Sequence, residues 1–348
     1  MSERYARVLK LVSEHPWAVL PQTLDVVVEV LMLRSEGHMF TDEEIKQRLG
    51  AAGPQRREAR TVNNVAVLPL HGLIAPRMNA MTQISGGTSA DAFGAVFQRV
   101  IDNPEISAVV VDSDTPGGDV FGIEELANTI RTARGSKPIV AVVNHMAASA
   151  GYWLISQCDE IIASPSSMLG SIGVIGSHTD LTAAAAKAGI KTTYITAGKF
   201  KSEAAPGEAL TDEGRADMQA KVDEFYRVFV AAVARGRGVT AQAVRDGFGQ
   251  GRMVQAREAV KLGMADGIGT LDQVIERLAT GSRSAIGATA TPPAIRAAAD
   301  DSVDPNDDGT CPDGYKKGDD DRCHPVPVES RAKAEAEGLR ALLAARGA

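Results

Sequence analysis

Three apolar runs dominate the middle of this 348-residue chain: Val65-Ala-Val-Leu-Pro-Leu70, Ala108-Val-Val-Val-Asp112 and Ile139 to Val143. Each is continuous rather than alternating, and each is followed by a glycine-containing turn and then by residues at helical spacing. A strand that is apolar on both sides has to be covered on both faces. A strand followed by a helix returns parallel, through a right-handed crossover. The pattern predicts an α/β fold on a mainly parallel, buried sheet.

The same spacing rules place the flanking segments. Residues 1–60 are expected to be a small helical region and linker, with Thr41-Asp-Glu-Glu44 as a capping box ahead of Ile45 and Leu49. Met78 to Ser89 is rich in Gly, Ser and Thr and reads as a loop, and Ser89 caps a helix to about Ile101. A helix follows Asp114-Thr-Pro-Gly-Gly118 as far as Arg134. After Val143 come small residues, Ala147 to Gly151, and a helical pattern carrying Tyr152, Trp153, Ile155 and Ile162. Ile172 to Ile175 and Thr192 to Ile195 read as short strands with a helix, Leu181 to Ala188, between them. Thr211 caps a long helix to Arg235, Thr240 opens a short one, and Gly263 closes another that starts at Ala256. Ala265 to Gly269 returns the chain to the sheet, and Leu271 to Leu278 is the last helix of a domain spanning 61–280. Residues 281–330 are acidic and rich in Pro, Gly and Asp, which favours a linker without fixed structure, and 331–348 read as a terminal helix.

Composition narrows the function classes. A net charge of −7 makes no case for nucleic-acid binding by bulk charge. The apolar run Leu24 to Leu33 is broken by Asp25 and Glu29 and is too short to span a bilayer. The first twenty residues carry Glu3, Arg4, Arg7, Lys10 and Glu14 and lack the apolar core of a signal peptide. A cytoplasmic protein without membrane contact is expected. Three cysteines make no disulfide framework: Cys158 falls on a core pattern, while Cys311 and Cys323 lie in the acidic tail. In that tail Asp304, Asn306, Asp308 and Gly309 fit the front of a calcium loop, but Tyr315 stands at the twelfth position, where Glu is required. Cys311, Cys323 and His324 lack an evident fourth zinc ligand. Neither metal nor cofactor is expected.

Ser149 stands where the third strand turns into a helix. A hydroxyl at such a turn is exposed beside the unpaired N–H groups of a helix start. Serine is a weak nucleophile unless a base takes its proton. His145, His178 and Lys201 are candidates, with Lys199 a competitor to Lys201. A lysine base must be neutral, which demands an enclosed site. Gly117 and Gly118, at the end of a strand, allow close backbone approach, and their N–H groups with that of Ala150 suit an oxyanion hole.

Four segments carry a resemblance: Asp114-Thr-Pro-Gly-Gly118, Met146-Ala-Ala-Ser-Ala-Gly-Tyr152, Gly170-Ser-Ile-Gly-Val174, and Gly198-Lys-Phe-Lys-Ser202 followed by Pro206. In this order and spacing they resemble peptidase family S49, over roughly residues 62–280. The resemblance implies a ClpP/crotonase-like spiral of strand-strand-helix units. It implies a serine endopeptidase in which Ser149 is the nucleophile, Lys201 the general base and Ser171 the group orienting the lysine. Gly117, with Gly118 beside it, and Ala150 would form the oxyanion hole. The helical N-terminal region, single peptidase domain and polar tail are similar to the phage-type members, which process scaffold, portal or capsid proteins in proheads. Protein substrates and a ring-shaped homo-oligomer are the partners implied. The alternatives are a bacterial cytosolic peptidase of the family, a ClpP-type Ser-His-Asp protease, a crotonase-type acyl-CoA enzyme and a non-catalytic capsid-assembly protein.

Overall fold

The computed structural model describes residues 16–35, 59–77, 87–205, 207–281, 315–317 and 323–325. In chain order the elements begin with β1 (Trp17–Val19), α1 (Pro21–Ser35), β2 (Arg60–Val62), β3 (Val65–His71), β4 (Ile74–Ala75), β5 (Thr88–Ser89) and α2 (Ala90–Asp102). Next come β6 (Ala108–Thr115), β7 (Gly117–Asp119), α3 (Ile123–Thr132), β8 (Ile139–Ala148), α4 (Ala150–Ile155), β9 (Glu160–Ala163) and β10 (Met168–Gly170). They are followed by α5 (Thr182–Lys187), α6 (Asp212–Arg237), α7 (Ala241–Gly247), β11 (Met253–Gln255), α8 (Ala256–Lys261), β12 (Gly267–Ile268) and α9 (Leu271–Ala279). Two further strands, β13 (Tyr315–Lys317) and β14 (Cys323–Pro325), pair antiparallel.

The main sheet runs β11-β10-β8-β6-β3-β2, with β9 also on β8 and β12 on β9. All its pairings are parallel except the outer ones, β2 with β3 and β10 with β11. The three apolar runs are its centre, β3, β6 and β8, and the expected mixed α/β architecture with a mainly parallel sheet is the one observed. A second sheet, β1-β7-β4-β5, lies beside the ends of β6 and β8.

The parity of each central strand divides the core. Val109, Val111, Ala141 and Val143 face the large cluster under α2, α3, α4 and α6, while Val110, Val140 and Val142 face a smaller cluster under α9. Trp153 of α4 stacks on Phe229 of α6 at 4.6 Å between ring centres and 9° between planes. That stack fixes the helix behind Ser149. Trp153→Ala should therefore cost about 3–5 kcal/mol, read as a shift of the urea midpoint.

Most helix boundaries follow the capping logic. Ser89, Thr211, Thr240 and Thr270 each accept an N–H from the first turn of the helix they precede. Five expectations need correction. Ile162 belongs to β9 and not to the helix after Ser149. The helix stops at Ile155, where Ser156 turns its hydroxyl back to Trp153 O, and the Asp159 carboxylate takes the Ile139 N–H, drawing the chain onto β8. Thr88–Ser89, read as loop, is a strand. Residues 172–174 form no strand; the strand there is Met168–Gly170, and Ile175 makes one bridge, to Trp17. Thr192 to Ile195 forms no strand either: its β-branched residues find no partner edge, and Ile195 is 97% exposed. In the acidic tail, β13 and β14 lie within the stretch expected to lack structure. The capping box at Thr41–Glu44, residues 78–86 of the loop expected from Met78 to Ser89 and the helix at 331–348 lie outside the described residues.

Cys158 is fully buried, as its apolar pattern requires. Burial pushes its thiol up to about 12. The unfolded chain loses that proton from about pH 8.5, whereas the folded chain retains it. Folding stability should therefore fall as pH rises from 9 towards 12, by up to about 1.4 kcal/mol per pH unit. Urea titrations at pH 8 and pH 10.5 check this, and native protein should leave Cys158 unalkylated.

Candidate active site

The site begins with the forking of β8. Residues Val140–Val143 pair with β9, whereas Met146–Ala148 pair with β10. On the other side the β6–β8 register shifts between Ser113 and Thr115. Neighbouring strand ends thus splay apart where β8 stops, and Ser149 stands in the gap.

Ser149 has φ +51° and ψ −117° and is 1% exposed. A non-glycine residue in this region is strained and has to be held there by its neighbours. The holding bonds are visible. Ser149 N–H donates to Gly170 O at 2.7 Å, and Trp153 N–H donates to Ser149 O at 2.9 Å. The Ser149 hydroxyl donates to Gly173 O at 3.3 Å. Behind it, the Gln157 amide reaches Ala232 O, and a side chain on Gly236 would meet Ser156 O at 2.2 Å, so α6 is locked onto the end of α4.

The glycine turn closes the front. A Cβ on Gly117 (φ +97°) would sit 3.0 Å from Ser149 Cβ, 3.0 Å from Ala148 O and 2.2 Å from Ala18 O. Only glycine fits there. Thr115 ties the turn together: its hydroxyl donates to Gly72 O at 2.6 Å and accepts the Gly117 N–H at 3.1 Å. Ala150, the first residue of α4, follows Ser149 directly and is fully buried.

Ser171 is the next residue after Gly170, whose carbonyl holds Ser149. It too has positive φ, +53°, is 6% exposed, and donates its N–H to Arg252 O at 2.9 Å. The structure thus gathers Ser149, Ala150, Ser171, Gly117 and Gly118 into one buried corner. An open cleft of about 450 Å³, lined by Ile172, Gly173, Val174 and Tyr226 among others, adjoins it.

Lys201 is not part of that corner. It lies in a turn, its N–H on Gly198 O at 3.2 Å, and is exposed. No described residue from 173 to 213 is buried. Lys199 is committed elsewhere, to Glu213 at 3.0 Å and to the Phe200 ring at 4.4 Å. The histidines do not reach Ser149 by hydrogen bond. His145 pairs with Asp114 at 3.0 Å with its side chain 74% exposed, and His178 contacts Ala204 O at 3.1 Å. Sequence reasoning missed Thr115, Gly173 and β1. The β1 signal was present: Trp17-Ala-Val-Leu20 is a short apolar run between Pro16 and Pro21, and a residue before proline is biased to extended backbone.

Among the described residues no helix is long and apolar enough to cross a membrane, and no cluster of His, Cys, Asp or Glu is suited to a metal ion.

Residues 131–284, which include Ser149, Ser171 and Lys201, match the model of peptidase family S49. The head-tail preconnector protein GP5 of Enterobacteria phage P21 is 33% identical over 235 residues, 67% of this chain and 46% of that protein. Capsid assembly protease C of Escherichia phage lambda is 31% identical over 235 residues, 66% of this chain and 53% of that one. Protease 4 of Salmonella typhi is 28% identical over 222 residues, 64% and 35% of the two chains. The chain spans about half the length of the two phage relatives. A solved membrane-bound stomatin-specific protease matches with a TM-score of 0.38 and 15% identity, over 60% of this chain and 77% of that one. By the family match and these relatives, the chain belongs to peptidase family S49.

Proposed function

We propose that the protein is a serine endopeptidase whose nucleophile is Ser149, acting on phage head proteins during prohead maturation. The observation that carries this reading is the strained, buried Ser149 wedged between the Gly117 turn and the start of α4, within a family S49 sequence. The names of the phage relatives, a head-tail preconnector protein and a capsid assembly protease, support the head role and a capsid-related protein substrate.

In the proposed cycle a neutral Lys201 takes the proton from Ser149 Oγ and the oxygen adds to the scissile carbonyl. The Lys201 ammonium then returns the proton to the leaving amine, and water hydrolyses the acyl ester by the same route in reverse. Ser171 orients the lysine. The N–H groups of Ala150 and of the Gly117–Gly118 turn receive the oxyanion. In the resting chain the Gly117 N–H is held by Thr115, so its service to an oxyanion requires exchanging that hydroxyl for the substrate.

A lysine base needs enclosure, and the arm at 173–213 is open. It also presents Ile190, Tyr194, Ile195 and Phe200 at 41–97% exposure. Burying these groups against a second copy would enclose Lys201 and complete a homo-oligomeric ring. The test has two parts. A fluorophosphonate should label the native chain and the His145→Ala and His178→Ala variants, but neither Ser149→Ala nor Lys201→Ala. Co-expression with neighbouring head genes should yield cleavage products that Ser149→Ala abolishes. Labelling lost in His145→Ala would favour the Ser-His-Asp reading, for which the His145–Asp114 pair is the supporting contact.

A further inference from the structure

The segment that fills the space in front of the glycine turn belongs to the chain itself. Strand β1 lies antiparallel on β7, Trp17 opposite Asp119, Ala18 opposite Gly118 and Val19 opposite Gly117. Its other side is also bonded: Trp17 N–H donates to Ile175 O at 2.8 Å and Ile175 N–H to Trp17 O at 2.9 Å. Leu20 N–H completes the ladder on Pro116 O at 3.0 Å. A four-residue extended peptide is thus held between two backbone segments, one leading from the Gly117 turn and the other from Gly173, which accepts the Ser149 hydroxyl.

The peptide also passes the nucleophile. Ala18 O lies 2.2 Å, and Ser149 Cβ 3.0 Å, from the point a Cβ on Gly117 would take, so the β1 carbonyl and the serine side chain are neighbours. Ala18 is fully buried in the main core, so the position facing the turn holds a small side chain. Backbone pairing on two sides with a small residue at the reactive position is how a peptide is gripped by strand addition.

Besides its backbone bonds, β1 is tied to the main core through one small side chain, that of Ala18. Val19 packs in a satellite cluster with Leu24, Val27 and Leu73, apart from the two main cores. Emptying the slot therefore withdraws only the Ala18 methyl group from the main core.

We infer that Trp17–Leu20 is an intramolecular occupant of the substrate groove. An extended peptide with a small residue beside Ser149 binds by displacing it onto the same backbone groups of β7 and Ile175. The inference rests on the peptidase reading for its consequence, slower turnover while the strand is seated, but the occupancy is tested by binding alone.

Two full-length variants move the strand in opposite directions. Trp17→Pro with Leu20→Pro removes the N–H groups that bond Ile175 O and Pro116 O. Trp17→Cys with Ile175→Cys, made with Cys311→Ser and Cys323→Ser, allows the strand to be pinned. Doubly hydrogen-bonded antiparallel residues stand about 5.5 Å apart at Cα, inside the disulfide range of roughly 4.4–6.8 Å.

The primary readout is fluorescence anisotropy of a labelled peptide spanning Pro16 to Thr23, added to each variant in the Ser149→Ala background. Fluorophosphonate labelling with Ser149 intact is the second. Peptide affinity should rise at least about tenfold in the proline variant, because a larger share of molecules has the groove open. It should fall below detection in the oxidised cysteine pair and return on reduction. Equal binding by the oxidised and reduced pair overturns the inference, whatever the proline variant does and even if that variant fails to fold. Peptide binding that follows the disulfide in a protein no fluorophosphonate labels would uphold the occupancy and sink the peptidase reading. Labelling with binding indifferent to the disulfide would do the opposite.

Discussion

Ser149→Ala should lower peptide-bond hydrolysis by on the order of 10⁴-fold or more and leave the protein folded. The substitution removes one hydroxyl, which donates to Gly173 O at 3.3 Å, long for an O–H donor. Its stability cost should stay near the ~1 kcal/mol of an ordinary hydrogen bond, because the backbone at 149 is held by Gly170 O and the Trp153 N–H, not by the side chain. If Ser149 and Lys201 act as the proposed dyad, Lys201→Met should match it in turnover, since removing either member of a cooperating pair disables both. Lys199→Met, which breaks only an exposed pair with Glu213, should stay near the native rate. Activity should also depend on protein concentration wherever the proposed homo-oligomer dissociates. A single-turnover assay across dilution separates chemistry from assembly. Loss of rate in Lys201→Met without loss of the oligomer assigns the lysine to chemistry. A rate that follows the oligomer alone assigns it to assembly.

What could be read from the sequence divides by the range of the interaction. The central strands declared themselves because their apolar stretches, 65–68, 108–111 and 139–143, are buried at every position, and the helices after Ser89, Thr211 and Thr240 did so because a cap is a local bond. The corner around Ser149 was readable only as motifs. That Gly117 abuts Ser149 follows from the fork in β8 and the register shift in β6, which no local pattern encodes. Ile162 was misplaced because periodicity ran on past Ser156, where hydroxyl and carboxylate bonds end the helix. Thr192 to Ile195 was misread for the opposite reason: strand propensity is realised only beside a partner edge. The pairing of β1 with β7, across almost a hundred residues of chain, lay beyond both kinds of signal.

Gly118→Ala and Gly117→Ala should be the most damaging changes to the fold near the site, and in different ways. A Cβ on Gly118 would lie 1.8 Å from Ile74 O and within 2.7 Å of Ile74 N and C. These are backbone atoms of β4, which pairs with β7 at this residue, and the strand has no rotamer with which to yield. We expect about 4 kcal/mol or more of lost stability, read as a thermal transition lowered by ten degrees or more or as failure to accumulate folded protein. At Gly117 the closest obstacle, 2.2 Å away, is Ala18 O, and the others, at 3.0 Å, are Ala148 O and Ser149 Cβ. If β1 can leave its seat, its carbonyl can retreat, and the remaining contacts need only a few tenths of an ångström. The cost at Gly117 should then be the smaller of the two, dominated by a left-handed φ that alanine adopts poorly. Turnover should be lost all the same, because the turn facing Ser149 is displaced. Melting both variants, each with and without Trp17→Pro/Leu20→Pro, gives the decisive comparison. Release of β1 should recover stability in Gly117→Ala and none in Gly118→Ala. Equal recovery, or none in either, would mean that β1 is a fixed wall of the site.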